Sequence, residues 1–173
     1  MFQINSLPLG LKLISTQQYQ DTRGNNFELW RQETLPEINF VQENISHSVY
    51  GVVRGLHFQQ KNPQGKLISV LLGTICDIAL DIRQDSPTFG QAHREILDAD
   101  KPCCLWIPPG FAHGFSVLSE NAIVLYRMTE YYNPDDQICI KWNDPSLNID
   151  WGITRPILSD KDKNGIYLRD YSL

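Results

Sequence analysis

Arg54 and His57 stand three residues apart, around Gly55, in the run Gly51-Val52-Val53-Arg54-Gly55-Leu56-His57-Phe58-Gln59. The rest of that run is largely apolar and β-like. A buried strand keeps an arginine and a histidine only where something is paired with them or bound by them. A second histidine, His113, lies between aromatics in Ile107-Pro108-Pro109-Gly110-Phe111-Ala112-His113-Gly114-Phe115, and Lys66 sits in Gln64-Gly65-Lys66-Leu67. One such histidine alone is more often structural than catalytic. Two, joined by an arginine and a lysine, make a polar set that a core does not need. We read it as a site.

Three chemistries suit these residue types unequally. Metal sites in small β barrels use a His-x-His pair, a nearby Glu and a distant His. Here Gln59 and Lys61 occupy the positions two and four after His57. Only His57 and His113 remain as ligands, too few for a three-ligand centre, so no metal is expected. Nucleophilic catalysis lacks a Gly-x-Ser-x-Gly elbow, and no cysteine adjoins a histidine in sequence. Acid–base chemistry fits best. Histidine is a base near neutral pH, a carboxylate can orient it, and a lysine can stabilise a developing enolate. Arginines can hold a diphosphate. A proton beside a carbonyl could thus be removed without metal or cofactor.

Composition narrows the classes further. The 173 residues fit one domain, 1–173, large enough for its own core. A formal net charge of -5 argues against broad nucleic-acid binding, yet local cations can still hold an anionic small ligand. No run approaches the ~18 apolar residues of a membrane span. The start, Met1-Phe2-Gln3-Ile4-Asn5-Ser6-Leu7-Pro8, has no cationic segment leading into an apolar one. No signal peptide and a cytoplasmic location are therefore expected. Cys76, Cys103, Cys104 and Cys139 form no C-x-x-C and read as buried free thiols.

The elements that must position the site read as β throughout. Phe2–Ile4 and Leu11–Ile14 alternate around a Pro8/Gly10 turn, and Asp21–Asn26 is a turn cluster before Phe27–Trp30. Gln32–Ile38 is short, helical or irregular. Strands follow over Phe40–Ser46 and Val52–Gln59. The clearest signal is Leu67–Leu72, the Gly73-Thr74 turn, then Cys76–Arg83. In the latter Cys76, Ile78, Leu80 and Ile82 share one face, and Asp77, Ala79, Asp81 and Arg83 the other. Further strands cover Ala92–Leu97, Cys103–Ile107, Phe115–Leu118 and Ala122–Met128. Short strands, frequent turns and little helical periodicity predict an all-β sandwich or barrel. The tail from Asp144 is less regular, and its Asp160-Lys161-Asp162-Lys163 is either a solvated charge run or part of the site.

Taken in order, several segments resemble the dTDP-4-dehydrorhamnose 3,5-epimerase family. They are Arg23-Gly24…Glu28, Phe40–Asn44, Arg54–Gln59, Gly65–Leu67, Asp77–Arg83, Ser86–Gly90, Ile107–Phe115, Tyr126, Trp142–Pro145 and Leu158–Asp162. The resemblance implies a cupin-like β jelly roll and a cofactor-independent homodimer whose N-terminal strands complete the partner's sheet. It implies a nucleotide-diphospho-4-keto-6-deoxyhexose substrate, with inversion at C3 and C5. By the same resemblance His57 is the base, Asp162 orients it, Lys66 stabilises the enolate and Tyr126 returns a proton to the opposite face. A phenol, with a reference pKa of ~10, is protonated at neutral pH and suits that role. Arg23, Arg54 and His113 match positions for the diphosphate or adjoining sugar. Glu28, Gln42, Asn44, Tyr132 and Lys161 match nucleotide-side positions.

Two departures fall at the nucleotide end. Asn25 and Asn26 follow Arg23-Gly24 where the family usually has an aromatic residue, and Gln137 stands where it has a Glu. They leave open a related epimerase that inverts one carbon only or takes another nucleotide sugar. One geometric condition also follows. Arg54 and His57 have opposite parity in an ideal strand, so if both line one pocket, Gly55 marks a bulge or kink.

Overall fold

The apolar rows of the sequence form two facing antiparallel sheets, seen in a computed structural model that describes residues 2–171. The strands are β1 (Gln3–Ser6), β2 (Lys12–Ser15), β3 (Gln18–Asp21), β4 (Gly24–Phe27), β5 (Gln42–Val49), β6 (Val53–Gln59) and β7 (Lys66–Leu72). They continue with β8 (Thr74–Asp81), β9 (Ala92–Asp98), β10 (Cys103–Ile107), β11 (Phe111–Val117), β12 (Asn121–Met128) and β13 (Gln137–Cys139). One short helix, α1, spans Asp160–Lys163. A six-stranded sheet runs β1-β2-β10-β7-β12-β5 and a five-stranded one β13-β6-β11-β8-β9. This is the all-β sandwich that the strand pattern predicts, in the cupin-like jelly-roll form that the family resemblance implies.

Three apolar layers explain why so many strands read as continuously hydrophobic. The inner layer, between the sheets, joins Ile68 and Val70 to Ile75, Ala79, Phe111, Phe115 and Val124. The outer face of the five-stranded sheet is covered by the C-terminal segment, where Trp151 and Leu168 pack on Cys76, Ile78, Leu80 and Phe58. The outer face of the six-stranded sheet is covered by N-terminal residues, with Leu35 and Trp30 against Leu67, Cys104 and Trp106. Strand β8 is therefore buried on both faces, with its two rows divided as the alternation predicts.

Three segments differ from the sequence reading. Asp21–Asn26 is not a simple turn but the centre of the β3–β4 hairpin, in which Asp21 Oδ1 accepts the Arg23 backbone N–H at 2.8 Å. Its polar residues hide the strand signal because the hairpin joins neither sheet and stays largely exposed. β13 was not legible, since its three residues take their order from pairing with β6, from Gln137↔Gln59 to Cys139↔His57. The tail charge run is α1, capped by Ser159, whose Oγ accepts the Asp162 backbone N–H at 3.2 Å.

Candidate active site

The inner rows of both sheets change from apolar to polar at the same end of the sandwich. On β7, Ile68 and Val70 face the inner layer, so Lys66, of equal parity, faces it too. On β12 the row Ala122, Val124, Tyr126 and Met128 does the same, and Asn44 of β5 pairs directly with Tyr126. From the opposite sheet come His113 and Phe115 of β11 with Arg54 and His57 of β6. Together with Tyr132, Gln137, Ser159, Lys161 and Asp162 they line a cavity of about 370 Å³.

Gly55 meets the geometric condition posed by the sequence. Strand β6 pairs His57 with His113 but Arg54 with Phe115, so it carries one residue more than β11 across that stretch. That extra residue reverses parity: Val53, Leu56 and Phe58 face outward, while Arg54 and His57 both face the cavity. The bulge brings two backbones into contact. A Cβ on Gly55, at φ +117°, would lie 2.5 Å from Gly114 Cα and 2.7 Å from the His113 carbonyl oxygen. Glycine is required there on both counts.

His57 and Asp162 form a dyad. His57 Nε2 lies 2.6 Å from Asp162 Oδ1. The carboxylate is held from three other sides: Ser159 Oγ donates to Oδ2 at 2.7 Å, the Gly55 N–H reaches Oδ1 at 3.3 Å, and the cap fixes its backbone. Burial alone would raise the Asp162 pKa, but the hydrogen bonds from His57 and Ser159 outweigh it and hold the group below the usual carboxylate range. An ionised carboxylate only accepts, so Nε2 carries the imidazole proton and Nδ1 keeps a free lone pair. Burial lowers the His57 pKa and so favours that neutral form, opposed by the bond to Asp162, which favours the charged one.

Lys66 is only 7% exposed. Its ammonium donates to the His57 carbonyl oxygen at 3.1 Å. Burial pulls its pKa down to about 8, against the attraction of the Asp77 carboxylate. Asp77 is a site residue that sequence reasoning missed, although its place in the inward row of β8 was visible. It is fully buried, and its Oδ2 lies 2.8 Å from His113 Nε2. Its Oδ1 has no hydrogen-bond partner among the described residues. The histidines of the two histidine–carboxylate pairs thus stand side by side on the neighbouring strands β6 and β11.

Not every predicted residue reaches the cavity. Arg23 lies on the exposed β3–β4 turn, paired with Asp21, and Glu28 is paired with Arg31 nearby. Both belong to a segment that a single chain does not fold over its own cavity. Gln42 stands behind the lining: its Oε1 accepts the Tyr132 N–H at 2.8 Å and its Nε2 donates to Asn44 Oδ1 at 3.0 Å. Gln137, noted only as a departure, lines the cavity and accepts from both Lys161 and the Tyr132 hydroxyl. Arg54 is steadied by Ser48, whose Oγ accepts from its Nε at 3.1 Å.

The metal reading also changes its members. His57 and His113 do not pool as ligands; His113 is engaged with Asp77. The group of metal-ligating atoms found among the described residues is His57, Cys139 and Asp162. Cys139 Sγ lies 3.8 Å from Asp162 Oδ1, and burial with the neighbouring Asp162 charge pushes the thiol up to about 12. Its position was hidden because β13 was not legible.

Comparison with known proteins agrees with this architecture. The family model described as dTDP-4-dehydrorhamnose 3,5-epimerase matches residues 7–170. The curated dTDP-4-dehydrorhamnose 3,5-epimerase of Pseudomonas aeruginosa is 46% identical over 159 residues, covering 88% of each chain. That of Methanothermobacter thermautotrophicus is 43% identical over 168 residues, covering 93% of this chain and 91% of its own. Among solved structures, a dTDP-6-deoxy-D-glucose-3,5-epimerase from Legionella pneumophila, in complex with dTDP-4-keto-L-rhamnose, superposes with a TM-score of 0.95. It is 42% identical, covering 99% of this chain and 95% of its own. A cavity with an oriented histidine on one sheet and a tyrosine on the other is thus set in a matching fold and a matching sequence. The chain belongs to the dTDP-4-dehydrorhamnose 3,5-epimerase family.

Proposed function

We propose that this cavity inverts C3 and C5 of dTDP-4-dehydro-6-deoxy-D-glucose, giving dTDP-4-dehydro-L-rhamnose. The observation that carries the reading is the placement of base and acid on opposite walls, with His57 on β6 and Tyr126 on β12. Inversion through an enolate needs the proton to leave from one face and return to the other. His57 Nδ1 removes the proton beside the C4 ketone, and the imidazolium formed is stabilised by Asp162. Charge moves to the C4 oxygen, where the buried Lys66 ammonium meets it. Tyr126 then donates to the carbon from the opposite wall; its phenolate regains a proton from solvent and the His57 imidazolium gives its own up to solvent, which resets both groups. The ketone acidifies both neighbouring carbons, so the same groups serve C3 and C5 in turn.

The remaining cavity residues suit the nucleotide-diphosphate part of the molecule, which stays attached throughout. Arg54, His113 and Lys161 supply cationic or donor groups for the diphosphate and adjoining sugar. Asn44, Tyr132 and Gln137 offer hydrogen bonds and an aromatic face to the nucleotide. Gln137 in place of a carboxylate leaves the charge of Lys161 unneutralised, which favours an anionic ligand.

Arg23 and Glu28 act from a second copy in this reading. The β3–β4 hairpin pairs with neither sheet, and Ile45 and Val49 of the edge strand β5 are exposed. A homodimer that lays the N-terminal strands of one chain against the next covers such residues and brings Arg23 to the neighbouring cavity. Among the described residues no helix is long and apolar enough to cross a membrane. A cytoplasmic enzyme on a nucleotide sugar fits that.

Proton exchange tests the function directly. The enzyme is incubated with dTDP-4-dehydro-6-deoxy-D-glucose in D2O, and the C3 and C5 protons are followed by NMR beside His57→Asn. Loss of both signals, absent in the variant, is expected. Exchange at one carbon identifies a single inversion instead, and no exchange at either removes the assignment.

A further inference from the structure

We propose that Cys139 turns the His57–Asp162 dyad into an inhibitory site for a thiophilic divalent cation of the Zn2+ or Cd2+ type. The inference rests on His57 being the base. Ligand atoms of His57, Cys139 and Asp162 all lie within 4.8 Å of one another. A tetrahedral zinc site holds nitrogen and oxygen at about 2.0 Å and sulfur at about 2.3 Å, so its ligand atoms lie roughly 3–4 Å apart. The site is close to that already, with 3.8 Å from Cys139 Sγ to Asp162 Oδ1 and 2.6 Å from the same oxygen to His57 Nε2. A small retreat of the imidazole makes room for the ion.

The donor set chooses the metal. One imidazole, one thiol and one carboxylate suit a borderline-soft ion, and three protein ligands leave a fourth position open toward the cavity. Ser159 and the Gly55 N–H already hold the carboxylate, as outer partners do at metal centres. Arg54, Lys66 and Lys161 are the lysine and arginine side chains lining the cavity, and all three oppose a dication. A hard ion such as Mg2+ has only the Asp162 carboxylate to set against that repulsion, whereas a thiophilic ion also gains a thiolate and an imidazole bond.

The exchange balances without any redox change. The dication enters, Cys139 gives its thiol proton to solvent, and the proton on His57 Nε2 moves to Nδ1. With Nε2 on the metal and Nδ1 protonated, the ring has no lone pair left for a C–H bond. The enzyme is then folded, able to hold substrate, and without its base.

Chelator-treated enzyme titrated with Cd2+ tests the proposal, read first by ultraviolet cadmium–thiolate absorption and then by activity. Expected are one equivalent of absorbing complex, loss of activity in step with it, and recovery on adding EDTA. Cys139→Ser and Cys139→Ala are compared as the ratio of rates with and without metal, after circular dichroism has established folding. Both lose the absorption and need roughly tenfold or more metal for half-inhibition. Absorption or inhibition unchanged in either variant overturns the site, as does the lack of a complex in the wild type. A wild-type complex in a protein with no epimerase activity upholds metal binding while refuting the function on which the inhibition rests.

Discussion

His57 and Asp162 stand 105 residues apart in sequence and 2.6 Å apart in space. The contact joins the bulged strand β6 to the short helix α1, and Ser159 ties the carboxylate down independently of the imidazole. An amide at that position could donate to Nε2 and so favour the tautomer whose lone pair faces away from the sugar. Asp162→Asn is expected to lower kcat about 10²–10⁴-fold while changing KM little, as wrong-tautomer substitutions do in other histidine–carboxylate pairs. Steady-state kinetics on folded protein checks it.

Tyr126→Phe separates the two halves of the reaction. The base is untouched, so deuterium still enters from D2O at the carbon that His57 reaches. Return of a proton from the other wall is lost. The expected result is washed-in label in recovered substrate with little inverted product, measured by NMR and by coupling to a downstream reduction. Equal loss of exchange and of inversion would remove Tyr126 from its role as acid.

The pH profile is expected to be bell-shaped. His57 must be neutral, and burial places its pKa below the usual histidine value, so the rate falls on acidification only below about 6.5. Lys66 must be charged and titrates at about 8, so the rate falls again as pH rises through that value. Lys66→Arg, which stays protonated, removes the alkaline limb and lowers the maximum. Stability moves the other way. Between about 8 and the ordinary 10.5 the unfolded chain binds more protons at this lysine, so the folded state gains as pH rises. The melting-temperature difference between Lys66→Met and wild type therefore shrinks across that window.

Gly55→Ala places a methyl group against the backbone of Gly114 and His113 at a positive φ. No flexible side chain is available to give way. A loss of about 3 kcal/mol or more is expected from denaturant unfolding, together with loss of the alignment of His57. A variant with wild-type stability and activity would show that the bulge is not needed.

Arg23 provides a test of assembly through complementation. Arg23→Ala raises KM by an order of magnitude or so if the guanidinium holds diphosphate, a charge-assisted pair of roughly 1.5–3 kcal/mol. Arg23→Ala and His57→Asn are each impaired alone. Unfolded and refolded together they regain activity, because one copy supplies the base and the other the hairpin. Light scattering that reports a monomer, or no regain on mixing, rules out the shared site.

The sequence was most informative where side-chain parity and burial agree. Lys66 and Tyr126 each break an apolar inward row, and β8 divides its two faces by simple alternation. The bulge was visible too, since two polar residues of opposite parity cannot share a wall without one. Three features were hidden for a common reason, that their order comes from partners far along the chain. β13 is strand only because β6 lies beside it. α1 is set by a serine cap and by the dyad, in a run that reads equally as solvated charge or as part of the site. Asp77 looked like an ordinary alternating polar residue until His113 and Lys66 were placed around it. Arg23 and Glu28 were legible as motif and illegible as geometry, because a single chain does not bring them to its cavity.

The base and acid that we propose, His57 and Tyr126, hang from different sheets, so in that reading the thickness of the sandwich acts as a catalytic dimension. That thickness is set by Ile68, Val70, Ala79, Phe111 and Val124, none of which lines the cavity. Thinning or swelling this layer changes how far the phenol must reach to the enolate, against the imidazolium still waiting on the near side. The balance between those two proton donors decides whether a carbon is inverted or merely returned to its first configuration. Stereochemical fidelity in such an enzyme is then a property of its oily filling, and repacking alone could divert it toward a different sugar.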